Sequence, residues 1–467
     1  MAVTSNPTLL AEREHNRHVF KAVSASCLGW SLDLYDLFIL LFVAPVIGKL
    51  FFPSTHPMLS LAAVYASFGV TLLMRPLGSA LFGAFADTHG RKRAMIMAMV
   101  GVGLSTAAFG ALPTVDTIGL AAPIVFILLK LVQGVFVGGV VAATHTIGTE
   151  SVAPRWRGAV SGLIGGGGAG LGALIASLAY WAMSTLFPGD AFEGWGWRCM
   201  FFTGIISAVL GITIFSNLEE SPMFKELQEK KARAKAANLA ANLAAGRDAD
   251  SAPAGAKPQH PVRKLFSREW RGVLLVNLLL SIGGGSGYYL TSGFLPTYLK
   301  VVNHTPAQTA GIILMCSSIG VIVASVGSGH LSTFIGRKKT FLIMGVLRLF
   351  AFPLLVLAMP HASSMVQLAL YVILLGALGS AGYAPLLIFL NERFPTTIRA
   401  TGTGLSWNIG FAIGGLMPTF VSLASPQPTD LPLTLAIFLS VISVIFLIGA
   451  LVVPETLGKL DAPAKDA

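Results

Sequence analysis

Apolar runs of about 20 residues or more recur along the whole chain, without the every-second-position alternation of a membrane β-strand. Hydrocarbon offers the backbone no hydrogen-bonding partner, so a run of this length must satisfy its own amides, as an α-helix does. Cutting the sequence at turn-forming or charged breaks predicts helices over 22–50, 60–87, 94–112, 120–147, 158–183, 199–216, 270–299, 308–332, 340–359, 365–390, 400–422 and 431–453. The pattern predicts an all-α integral membrane protein with twelve transmembrane helices. Residues 1–21 form a polar amino-terminal segment, 22–216 a first six-helix bundle and 217–269 a polar central loop. A second six-helix bundle follows over 270–453, and 454–467 is a tail. In the central loop, a run rich in helix formers can be read as a solvated tether or as an amphipathic helix on the membrane surface.

Composition removes the alternatives. The 467 residues are 54% hydrophobic and 11% charged, with a mean hydropathy of +0.74, which excludes a soluble enzyme or a nucleic-acid binder. The formal charge of +11 follows the topology. Loop lysines and arginines fall on the side of the amino-terminal segment, the central loop and the tail, and only Lys49, Arg198 and Lys300 lie opposite. The positive-inside rule then puts both termini in the cytoplasm. The first apolar run is too long for the core of a signal peptide. Cys27, Cys199 and Cys316 are far apart in or beside apolar runs, so neither a disulfide framework nor a metal site is expected. No cofactor is expected beyond a coupling proton.

The chain repeats itself. Gly83–Arg93 reads GAFADTHGRKR and Gly329–Lys339 reads GHLSTFIGRKK; TESVAPRWRGAVSGL from Thr149 pairs with NERFPTTIRATGTGL from Asn391. Two half-chain repeats of equal topology indicate pseudo-symmetric bundles related by an axis along the membrane normal.

On these residues the chain resembles the major facilitator superfamily, whose loop between helices two and three has the pattern G-x-x-x-D-x-x-G-R-K/R, matched by Gly83, Asp87, Gly90, Arg91 and Lys92. RPLGSALFGAFAD from Arg75, LVQGVFVGG from Leu131, GWRCMFF from Gly196 and LEESPMF from Leu218 are similar to the metabolite:proton symporter branch and related organic-acid symporters. LDLYD from Leu32 resembles the paired-aspartate motif of aromatic-acid and sialate symporters, and VPETLG from Val453 resembles the end motif of sugar porters. The resemblance implies alternating access, a monomer, and a charge network formed by Asp87, Arg91 and Arg157, with Glu150 as a possible partner, that gates the cytoplasmic side.

Five ionisable residues fall inside predicted spans: Asp33, Asp36, Arg75, Lys130 and Arg348. Each costs about 2.5–3.5 kcal/mol at mid-bilayer even on insertion scales, so each needs a partner, a water cavity or a function. Spacing of i, i+3 puts Asp33 and Asp36 on one helix face. Two carboxylates a turn apart in low dielectric cannot both ionise cheaply, so the pair is a candidate proton site. The alternative is a fixed ion pair with Arg75 or Lys130. Lys130 and Arg75, with Gln133, are candidates for a substrate carboxylate, while Arg348 reads as a snorkelling residue. Tyr288, Tyr289 and Asn408 are candidate cavity residues from the second half. The spacing of Gly158, Gly162, Gly166 and Gly170 marks a close-packing face, and Gly402 and Gly404 begin a similar small-residue face on the eleventh helix. The expected function is proton-coupled symport of a small organic anion across a bacterial inner membrane, with a sugar or polyol carrier as the alternative; no catalytic residues are expected.

Overall fold

The computed structural model describes residues 7–89, 91–150, 152–216, 233, 265–395 and 398–461. Twelve long helical segments cross the described molecule: α1 (Pro7–Phe51), α2 (Pro57–His89), α3 (Arg91–Gly110), α4 (Ala121–Glu150), α5 (Pro154–Leu186), α6 (Phe192–Ile214), α7 (Arg271–Val301), α8 (Ala307–Ile335), α9 (Arg337–His361), α10 (Met365–Arg393), α11 (Arg399–Leu423) and α12 (Pro428–Val452). Eleven are long and apolar enough to span a bilayer. The exception is α11, which has the length but whose apolar content is diluted by Thr401, Thr403, Ser406 and Asn408. Helix α1 begins well before the apolar run, because polar helix formers such as Glu12, Arg13 and Glu14 continue it amino-terminally.

Several spans are irregular. Single π-helical turns occur at Leu163–Gly167 in α5, at Phe192–Gly196 opening α6 and at Tyr289–Gly293 in α7. Such turns re-aim side chains and concentrate at functional sites. Helix α10 is interrupted between Ala381 and Leu386, where Gly382 weakens the helix and Pro385 supplies no amide hydrogen.

Packing repeats between the halves. In the first, α1 lies against α5, α2 against α4 and α3 against α6; in the second, α7 lies against α11, α8 against α10 and α9 against α12. The halves meet where α5 packs on α8 and α2 on α11. A Cβ at Gly158 would fall 2.3 Å from the Gly329 carbonyl oxygen, and one at Gly162 would fall 2.2 Å from that of Ser325. The α5 glycine face is therefore what lets these two backbones touch. On α11 the tight glycines are Gly410 and Gly414 against α7, whereas Gly402 meets only Phe394 and Gly404 faces open space. The small-residue face that begins at Gly402 and Gly404 thus makes its closest backbone contacts further along the helix.

Contacts between the halves exist at both ends. At the end carrying the basic loops, Ser161 Oγ donates to the Ala384 carbonyl (3.1 Å) and accepts from the Ile388 amide (3.2 Å), while Trp156 stacks on His330. At the opposite end Glu193 accepts from Lys49 (3.1 Å) in its own half and from Lys300 (3.4 Å) in the other. Below that, the Tyr65 and Thr297 hydroxyls bond across the interface at 2.7 Å. The described residues thus join the two halves at both ends.

Candidate functional site

Inside the first half, α1, α2, α3, α4 and α6 bring a polar cluster to the middle of the bundle. Asp33, Asp36, Lys130 and Gln133 are all fully buried. The carboxylates share a helix face but not their partners. Asp33 Oδ2 lies 3.5 Å from Arg75 Nη2, whereas Asp36 Oδ2 accepts from Ser207 Oγ at 2.8 Å. Lys130 Nζ donates to Gln133 Oε1 (2.9 Å), and Gln133 Nε2 donates to Thr106 Oγ1 (2.9 Å), with Thr106 in turn reaching Asp36. The ammonium also sits 4.3 Å from the Phe109 ring centre. No carboxylate comes within ion-pair distance of Lys130 among the described residues. The fixed pair left open by the sequence is thus Asp33–Arg75, and Lys130 belongs to a polar relay leading to Asp36.

Facing this cluster is an aromatic chamber built by both halves. Trp407 stacks on Phe411 at 4.2 Å, with Tyr383 edge-on to both, and Trp30 reaches across from α1 to Trp407 at 6.2 Å. Tyr288 packs edge-on against Phe38 and Tyr383, and Tyr289 against Phe68. A small cavity of about 20 Å³ lies beside Tyr288, lined also by Phe42, Ser292, Ser317 and Ser318. The Tyr288 hydroxyl, the Ser292 hydroxyl and Asn408 Oδ1 are buried without hydrogen-bond partners. Tyr288 and Ser292 line that cavity, and their unsatisfied hydroxyls are a pair that a water or a polar ligand group would complete.

Arg348 does not snorkel. It is fully buried, and its guanidinium enters the seam between α7 and α10. Asn277 on α7 accepts from Arg393 Nε (3.2 Å) towards the basic end.

At that end the side chains of Gly83, Asp87, Gly90, Arg91 and Glu150 lie outside the described residues; Arg157 is partly buried at the start of the α5 helix. Their repeat counterparts are described. Arg337, which matches Arg91, forms a two-pronged bond to Glu392, which matches Glu150 (3.2 and 3.1 Å). Thr456 Oγ1 donates to the same carboxylate at 2.8 Å. Glu455 accepts from the Arg337 and Lys338 amides and so caps α9. Partial burial opposes ionisation of Glu455, but four backbone N–H donors outweigh it and hold its carboxyl below the ordinary range. Sequence reasoning missed this network, although the repeat and the VPETLG run together contained it. It also missed Thr106 and Ser207, which as single hydroxyls in apolar helices give no sequence signal.

Comparison with known proteins follows the same lines. Residues 21–460 match the family model described as sugar (and other) transporter. The glycine betaine/proline/ectoine/pipecolic acid transporter OusA of Dickeya dadantii is 31% identical over 94% of this chain and 84% of its own length. A proline/betaine transporter of Salmonella typhimurium is 30% identical over the same shares. Among solved structures, the partially occluded inward-open xylose transporter XylE from E. coli superposes with a TM-score of 0.69 at 18% identity, covering 95% of this chain and 99% of that one. At that identity the likeness carries the fold alone. The chain belongs to the sugar (and other) transporter family of the major facilitator superfamily, and is a multi-pass secondary transporter of a small molecule, not an enzyme.

Proposed function

We propose that the chain is a proton symporter for a small zwitterionic carboxylate of the betaine or proline kind, sited in a bacterial inner membrane with its basic end and both termini in the cytoplasm. The carrying observation is the juxtaposition of a buried acid–base cluster with a chamber walled by Trp30, Tyr288, Tyr383, Trp407 and Phe411. Aromatic faces attract quaternary ammonium and similar cations, and the attraction grows when water is excluded. The names of the relatives support the same solute class. The sequence pointed to an organic anion; a betaine keeps the carboxylate but adds a cation that the chamber suits.

In this reading Asp36 takes the coupling proton. Asp33 is held by Arg75, whereas Asp36 has only hydroxyl partners and the Lys130–Gln133–Thr106 relay beside it. With Asp36 ionised, two carboxylates balance Arg75 and Lys130, so protonation leaves the cluster one unit more positive. Lys130 and Gln133 are then assigned to proton coupling rather than to substrate contact, and Tyr288, Tyr289 and Asn408 to the chamber wall. Release of the Asp87, Arg91, Glu150 and Arg157 region would open the cytoplasmic side, and parting of Lys300 from Glu193 the outer side. The test is uptake of labelled glycine betaine, proline, benzoate and D-xylose into proteoliposomes with and without an inward proton gradient. Gradient-stimulated uptake of the first two is expected. Uptake of xylose indifferent to the gradient would replace this reading by a sugar carrier.

A further inference from the structure

The second half contains a cation with no counterion among the described residues. Arg348 on α9 is fully buried, and its one hydrogen bond is a long one, from Nη2 to the Gly283 carbonyl at 3.4 Å. Its Nε and Nη1 have no partner, and no carboxylate lies within ion-pair distance among the described residues. The rings of Phe446 and Phe352 lie 4.9 and 5.0 Å from the guanidinium carbon. Such contacts offset only part of the penalty of burying a cation. Burying an ion costs several kcal/mol, so the rings do not compensate the charge.

The backbone has been cleared to let this side chain through. A Cβ at Gly287 on α7 would fall 1.6 Å from Nη2, and one at Gly382, in the α10 break, 2.4 Å from Nη1. The residues that follow these glycines are Tyr288 and Tyr383, whose rings form the chamber wall 5.5 Å apart. The guanidinium therefore lies behind that wall, against the backbone that carries Tyr288 and Tyr383.

We infer that Arg348 is the counterion of the substrate's carboxylate: it reaches from α9 through the Gly287–Gly382 window and binds the carboxylate while the cationic end of the zwitterion rests among the chamber aromatics. A planar fork with free N–H groups matches a carboxylate in shape as well as charge. The first half supplies no equivalent, since Arg75 faces Asp33 and Lys130 is engaged with Gln133. This assignment rests on the proposed substrate class.

The test uses the full-length protein in proteoliposomes with glycine betaine and choline, which share the quaternary ammonium and differ in the carboxylate. Wild type is expected to take up glycine betaine and to be inhibited far less by choline. Failure of that control would overturn the substrate class rather than the role of Arg348. In Arg348→Met the KM for glycine betaine is expected to rise at least tenfold, and the two compounds should compete about equally. Arg348→Lys keeps the charge but not the fork, and should show a smaller rise in KM with its preference for glycine betaine retained. A melting measurement in detergent covers variants that do not transport. Glycine betaine should raise the midpoint of wild type and not of Arg348→Met, whose unliganded midpoint should be no lower than wild type because an uncompensated charge has gone. A lowered midpoint together with an unchanged preference would overturn the inference and make Arg348 structural.

Discussion

Substituting Asp33 by Asn removes the only carboxylate facing Arg75 among the described residues and leaves a guanidinium buried in the first half. At the observed 3.5 Å, Coulomb's law with an effective dielectric constant of about 20 gives an attraction of about 5 kcal/mol. Breaking a buried pair from one side costs about 3–5 kcal/mol, while replacing both partners by neutral groups of similar volume is close to neutral. Asp33→Asn and Arg75→Met should therefore each destabilise the protein by about 3–5 kcal/mol. The double variant should regain most of that loss, giving a coupling energy of about 3 kcal/mol or more. Reversible unfolding in mixed micelles, followed by tryptophan fluorescence, measures all four corners of the cycle. Additivity within about 0.5 kcal/mol would show that the two charges are not a pair, and would remove the reason for giving the proton to Asp36 rather than Asp33.

Further outcomes follow from the basic end of the bundle. Glu392→Gln strips the buried Arg337 of its carboxylate and should cost about 3–5 kcal/mol in the same unfolding assay; a loss below about 1 kcal/mol would contradict the burial of that pair. Gly162→Val places a branched side chain where even a Cβ would lie 2.2 Å from the Ser325 carbonyl, so α5 and α8 must separate, costing about 1–3 kcal/mol and most of the uptake. Gly404→Val, facing open space, should leave both unchanged, and equal damage from the two would refute the close-packing account. Because the carboxyl of Glu455 is held below its ordinary value, its α9 cap stabilises the protein at neutral pH and loses that contribution as pH falls through the lowered value. Thermal midpoints from pH 7 to pH 3 should accordingly fall less steeply for Glu455→Gln than for wild type.

What the sequence made legible was whatever depends on period and length. Twelve apolar runs, the two-fold repeat and the i, i+3 spacing of Asp33 and Asp36 survive in the structure because each is a one-dimensional property. Helix α1 starts earlier than the apolar run because hydropathy does not register the charged turns that carry it on. Partners across helices were not legible, since they depend on the rotation of each helix about its axis. That is why the ion pair of Arg75 could have been with either aspartate, and why Arg348 read as a snorkelling residue when α9 aims it inward through Gly287 and Gly382. The Arg337–Glu392–Thr456 network lay within reach of sequence reasoning, because Arg337 and Glu392 occupy the repeat positions of Arg91 and Glu150.

The central claim, that a proton moves with the solute through Asp36, is tested most directly by the pH inside proteoliposomes loaded with a pH-sensitive dye. Adding glycine betaine outside, with no imposed gradient and with potential clamped, should acidify the lumen of wild-type vesicles in proportion to the solute taken up. Asp36→Asn should still exchange labelled for unlabelled glycine betaine across the membrane without any pH change. Uptake by wild type with no lumenal acidification, or unchanged acidification in Asp36→Asn, would contradict the account.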